Sequence, residues 1–170
     1  MATLTISTSD TGGSGLEPVF SSANAVLVEL VNERVIDADE RKRMVLGSYP
    51  RRKAQLLEPL RADGQFQSLS VEHCELFELA DAAWTDYQVN GDLQALVSRH
   101  AAFFRASFVP SLSSSISDAE KRNTFADCLE QKLKKRLSEL PTPLHSFVQV
   151  MVLAKHGSTD TPSIGGETLR

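Results

Sequence analysis

The sequence predicts an α/β or α+β chain with few strands, and three observations predict it. Residues 3–7 (Thr-Leu-Thr-Ile-Ser) alternate and are rich in β-branched side chains, which is a strand pattern. Leu16, Val19, Phe20, Ala23, Val26, Leu27, Leu30 and Val31 recur at helical spacing. Residues 144–154 form an apolar, valine-rich run, as expected of a strand covered on both faces. Strand, helix cluster, strand, helix pair, strand is the order that results.

In chain order, the residues after the first strand, Thr8 to Gly15, read as a Gly/Ser/Asp loop. The amphipathic pattern then predicts one long helix from about Glu17 to Val35. A short second helix is expected from Asp37 to Leu46, with Asp37 or Asp39 as N-cap and Gly47 as its stop. Pro50 opens a third helix at its tolerated first position, running through Leu56, Leu57 and Leu60 to Asp63-Gly64. Pro59 should bend or fray the last turn of that helix. Phe66 to Leu79 reads as the second strand, with Leu69, Val71, His73, Glu75 and Phe77 on one side. Asp81 to Gly91 reads as a connector carrying Trp84 and Tyr87.

Asp92 caps a fourth helix bearing Leu93, Leu96, Val97, Phe104 and Phe108, which Pro110 kinks or ends. Ser117-Asp-Ala-Glu120 has the spacing of a capping box. A fifth helix follows, with Phe125, Cys128, Leu129, Leu133 and Leu137 inward, and Pro141 and Pro143 stop it. Residues 1–156 hold all of these elements, which the resemblance described below makes the C-terminal half of a domain, and the polar stretch 157–170 reads as a disordered tail.

Composition narrows the function classes. The chain has 170 residues, 41% hydrophobic and 24% charged, ordinary for a soluble domain. A net charge of −4 argues against a general nucleic-acid binder. The basic runs at Arg41–Arg43, Arg51–Lys53 and Lys132–Arg136 read as solvated helix faces. No apolar run reaches ~18 residues, so no membrane span is expected. Two cysteines, Cys74 and Cys128, are no disulfide framework and fit a reducing, cytoplasmic setting.

Catalytic motifs are not visible from residues alone. Gly12-Gly13-Ser14-Gly15 follows a strand and precedes a helix, but it lacks the G-x-G-x-x-G spacing of a dinucleotide loop. His73, His100, His145 and His156 show no metal-ligand spacing, and neighbours His73 and Cys74 face opposite ways on a strand. No G-x-S-x-G elbow occurs.

A further signal lies in the order of segments. "NAVLVELVNERVIDADERKRMVLGSYPRRKAQLLEPLRADGQFQSLSVEHCE", "FRASFVPSL" and "PLHSFVQVMVLAKH" occur in series, within a likeness that covers about Thr3 to Lys155. This series resembles the C-terminal half of the SABATH carboxyl methyltransferases, which esterify salicylate, jasmonate and related acids. The resemblance implies part of a doubly wound methyltransferase sheet. Three C-terminal strands would be kept, the last one antiparallel and central, beneath an α-helical substrate cap.

The resemblance also implies a site. Val19 and Phe20 at the start of the long helix, Phe104 and Ser107 one turn apart on the fourth helix, and Phe147 in the last strand match pocket positions. Together they would clamp a small apolar carboxylic acid. The competing role for Phe20, Phe104 and Phe147 is plain core. The family's methyl donor is S-adenosylmethionine, and its binding residues have no counterpart in this sequence. The expectation is therefore a methyltransferase fragment, with a non-catalytic acid-binding remnant, or a partner of a full-length relative, as the alternative. Pairing with another chain is expected through the edge of the residue 3–7 strand.

Overall fold

The computed structural model describes residues 2–7, 15–46, 52–61, 66 and 68–155. Their elements are β1 (Ala2–Ser7), α1 (Glu17–Asn32), α2 (Ala38–Arg43), α3 (Lys53–Leu57), a 3-10 turn (Glu58–Leu60), β2 (Leu69–Leu79), α4 (Ala82–Asn90), α5 (Leu93–Ser113), α6 (Ala119–Glu139) and β3 (Ser146–Lys155). The chain is a mixed α/β structure with an antiparallel sheet. β3 pairs antiparallel with β2 along nearly its whole length and with β1 on its other side, giving the order β1-β3-β2. Among the described residues no helix is long and apolar enough to cross a membrane.

The helical layer holds the core. Val19, Ala23, Val26 and Leu30 of α1 pack with Val97, Ala101, Phe104 and Leu112 of α5. Phe125, Leu129, Leu133 and Leu137 of α6 complete the cluster, and Cys128 sits half-buried at its margin. These three stripes repeat at three- and four-residue steps, so each helix turns one apolar face inward. Ion pairs fasten the outer edge of α1 to α6: Glu29 meets Arg136 Nε at 2.9 Å, and Glu33 meets Lys132 Nζ at 2.6 Å.

Several sequence-based boundaries move, each for a local reason. The long helix stops at Asn32 rather than Val35, because Arg34 turns left-handed (φ 62°). Val35 and Ile36 then return their N–H groups to Leu30 O at 2.9 and 3.4 Å. Asp37 caps α2 in a full capping box with Glu40, and that helix ends at Arg43, short of Leu46. Gly47, Pro50, Asp63 and Gly64, the expected stop of the second helix and the expected ends of the third, lie outside the described residues. Within them, α3 begins at Lys53, and Pro59 sits in a tighter 3-10 turn as its bend predicts.

The segment from Asp81 to Gly91 is a helix, not a connector. Asp81 accepts a hydrogen bond from Trp84 N–H at 3.1 Å, and Gly91 closes the end at φ 71°. Its apolar periodicity is weak, and the caps define it. α5 runs past Pro110 to Ser113 instead of ending there. The cap of α6 is Asp118, which takes Lys121 N–H at 2.7 Å, in place of Ser117. The helix ends at Glu139, before both prolines.

The sheet brings two corrections. A bulge between Val71 and His73 splits the side assigned to β2. Val71 lies opposite Leu153, whereas His73, Glu75 and Phe77 lie opposite Val152, Val150 and Val148. One extra residue reverses the facing of everything after it. β3 is also not covered on both faces. Gln149 and Met151 are buried with Cys74 and Leu76 opposite them, while Val148, Val150 and Val152 on the other face are half-buried. The stretch 157–170 and the loop 8–14 lie outside the described residues.

Candidate functional site

The aromatic residues of α1 and α5 meet in one cluster. Phe20 stacks edge-on against Phe104 at 6.1 Å and against Phe108 at 5.0 Å, and Phe104 lies 5.1 Å from Phe108. Phe103 reaches Phe108 from outside at 6.0 Å, nearly perpendicular. Such edge-to-face contacts stabilise beyond their buried area. Three of the five sequence-predicted pocket residues share this region: Val19 and Phe104 are fully buried in it, and Phe20 is half-buried beside them. The other two are elsewhere. Ser107 is exposed on α5, because the inward stripe continues from Phe104 to Phe108, four residues on. Phe147 is half-buried on β3 opposite Glu78.

Arg105, on the same helix, is half-exposed and points across to α6. It donates to Asp127 at 2.6 Å and to Glu130 at 2.8 Å. Those two hydrogen bonds raise its pKa further above its usual value. Glu130 also holds Lys134 at 2.6 Å. Hydrogen bonds from Lys134 and Arg105 keep its carboxyl below the usual range. This is a clasp between α5 and α6.

Sequence reasoning missed a second region, where α4, α5 and the ends of β2 and β3 meet. A cavity of about 320 Å³ opens there, with Leu79, Asp81, Arg99, His100, Phe103 and Ser146 in its wall. At its base the buried His100 Nε2 bonds Asp81 Oδ2 at 2.8 Å. Asp81 also accepts from Leu144 N–H at 2.9 Å. Burial alone would raise the Asp81 pKa. The N–H groups of Leu144 and Trp84, together with the facing imidazole, outweigh it and hold the carboxyl below the usual range. Asp81 thus ties the start of α4 to α5 and to the approach to β3. The signals were present: an Asp at the N-cap position before Trp84, and His100 on the same stripe as Leu96, Val97 and Phe104.

No metal could be held by a cluster of His, Cys, Asp or Glu among the described residues. No protein-family model matches the chain, and no curated protein matches it.

For S-adenosylmethionine, the described residues do not fit. Gly15 is the one glycine of the early loop that is described, and its open space is occupied by the chain itself. A Cβ there would collide with the carbonyl oxygen of His145, and Gly15 O accepts from His145 N–H at 3.3 Å. That glycine serves close packing of backbone on backbone, not a cradle for a ligand.

Proposed function

We propose that this chain is the substrate-capping portion of an S-adenosylmethionine-dependent methyltransferase that acts on the carboxylate of a small apolar acid. The observation that carries the proposal is the position of β3. It is the last strand in sequence, yet it lies antiparallel to β2 across a long helical excursion, with β1 on its other side. A final antiparallel strand inserted between two earlier ones is the arrangement that the resemblance to SABATH enzymes implies. The helical layer of α1, α5 and α6, with Phe20, Phe104 and Phe108 interlocked, supports the role of cap.

Within this reading the chain supplies an apolar wall for the body of the acid. A carboxylate is already ionised at neutral pH, so no residue here needs to act as a base. The work is to orient the acid and to exclude water. Donor binding falls to residues other than those described, and the two free cysteines are in keeping with a cytoplasmic enzyme. Calorimetry of the isolated chain with S-adenosylmethionine tests this division of labour. No binding at micromolar strength is expected, and tight stoichiometric binding would overturn it.

A further inference from the structure

We infer that Cys74 is a site of oxidation by hydrogen peroxide to a sulfenic acid, which the buried amide of Gln149 then holds. Gln149 is 1% exposed, and its Oε1 is the one buried side-chain polar atom without a hydrogen-bond partner among the described residues. Buried polar atoms are nearly always paired, so this bare carbonyl oxygen calls for a donor that no described residue supplies. The other end of the same amide locates that donor. Gln149 Nε2 donates to Cys74 Sγ at 2.7 Å, which places Oε1 beside the sulfur as well. Turning the amide over would only exchange the two roles, leaving Nε2 bare in place of Oε1. A hydroxyl on the sulfur both donates and accepts, and so serves either orientation.

The surroundings admit a small oxidant. Cys74 is half-buried on β2, the outer strand of the order β1-β3-β2, while Gln149 and Met151 on the neighbouring β3 are buried. Lys53 Nζ donates to Cys74 O at 3.3 Å, which brings a positive charge to the residue whose sulfur must react as the anion. The thiolate attacks one oxygen of hydrogen peroxide. The S–O bond forms, the O–O bond breaks, and the second oxygen leaves as hydroxide, which takes a proton from solvent and becomes water. The sulfur loses two electrons and the peroxide gains them. The sulfenic O–H then donates to Gln149 Oε1. Cys128, the other free cysteine, packs against the helical cluster from α6, so among the described residues no second thiol stands beside Cys74 to convert the product to a disulfide.

Oxidation at Cys74 is independent of the proposed methyl transfer, and its test needs neither methyl donor nor acid. The whole reduced chain is exposed to dilute hydrogen peroxide in the presence of dimedone, which labels sulfenic acids. Peptide mass spectrometry then reads the label at each cysteine. Cys74 and Cys128 are both half-buried, so exposure alone would give them similar rates. Labelling of Cys74 about tenfold faster than of Cys128 is expected, which is what one hydrogen bond is worth. Gln149→Met keeps the length of the side chain and removes both amide groups. It should bring Cys74 down to the rate of Cys128 in a chain that circular dichroism shows to be folded. A purely structural Gln149 would change stability and leave the ratio of labels as it was. Equal labelling of the two cysteines in the native chain would overturn the inference, however the variant behaves. So would an unchanged ratio in folded Gln149→Met, which would mean that a buried water serves Oε1 instead.

Discussion

Asp81 shows how much one side chain can fasten. Its carboxylate caps α4, receives the His100 ring and receives Leu144 N–H, three elements on two oxygens. Its folded pKa lies below its unfolded one, so the stability it contributes is present at neutral pH and is lost as pH falls through the folded value. Asn at this position keeps the cap but not the charge. Asp81→Asn should therefore lower stability at neutral pH, and its deficit against the native chain should shrink below about pH 4. Urea denaturation across that range reads this directly; a deficit that does not change with pH would contradict it. Arg34 is the opposite case, a residue whose backbone works against its type. At φ 62° it bears the left-handed penalty that glycine escapes. Arg34→Gly should stabilise the chain by about 0.5–1 kcal/mol in the same titration, unless the left-handed turn is absent.

At the scale of elements, the helical core was legible where periodicity and burial agree. The stripe Phe125, Leu129, Leu133 and Leu137 of α6 was read correctly, as was Asp92 at the start of α5. The misreadings come where a cap or a single inserted residue outweighs periodicity. α4 has almost no apolar stripe and exists because Asp81 and Gly91 bracket it. The β2 bulge at Val71/His73 leaves no apolar signature, because alternation before and after it looks continuous in sequence. For the candidate site, helical spacing alone marked Phe20 and Phe104 only as apolar residues of α1 and α5, and they were named from the family resemblance. The Asp81–His100 pair was not, since its partners lie 19 residues apart and meet only once α4 forms. The packing makes a quantitative expectation. Phe104 is fully buried, so Phe104→Ala should cost about 3–5 kcal/mol, measured by denaturant unfolding. A loss below about 1 kcal/mol would mean that the site is looser than the geometry states, as a lining residue of an open pocket would be.

For the whole molecule, the sheet is the feature with unmet demands. β1 stands at one end of the order β1-β3-β2, so one row of its backbone groups has no strand partner among the described residues. Its sequence, Ala-Thr-Leu-Thr-Ile-Ser, contains neither Lys nor Pro to discourage pairing. Made alone, the chain should self-associate through that edge. Sedimentation at tens of micromolar should show dimers or larger species, and a clean monomer would count against this. The central strand β3, by contrast, should be the slowest region to exchange its amide hydrogens.

In the proposed enzyme that same edge continues into the donor-binding half. The decisive measurement is therefore ester formation. The chain is mixed with the donor-binding half of a SABATH methyltransferase, supplied as a separate polypeptide, S-adenosylmethionine and a panel of small apolar acids. Mass spectrometry then reads each acid for one added methyl group. A methyl ester of at least one acid that neither polypeptide forms alone is the expected result. A stable complex of the two halves that leaves every acid unmethylated would contradict it.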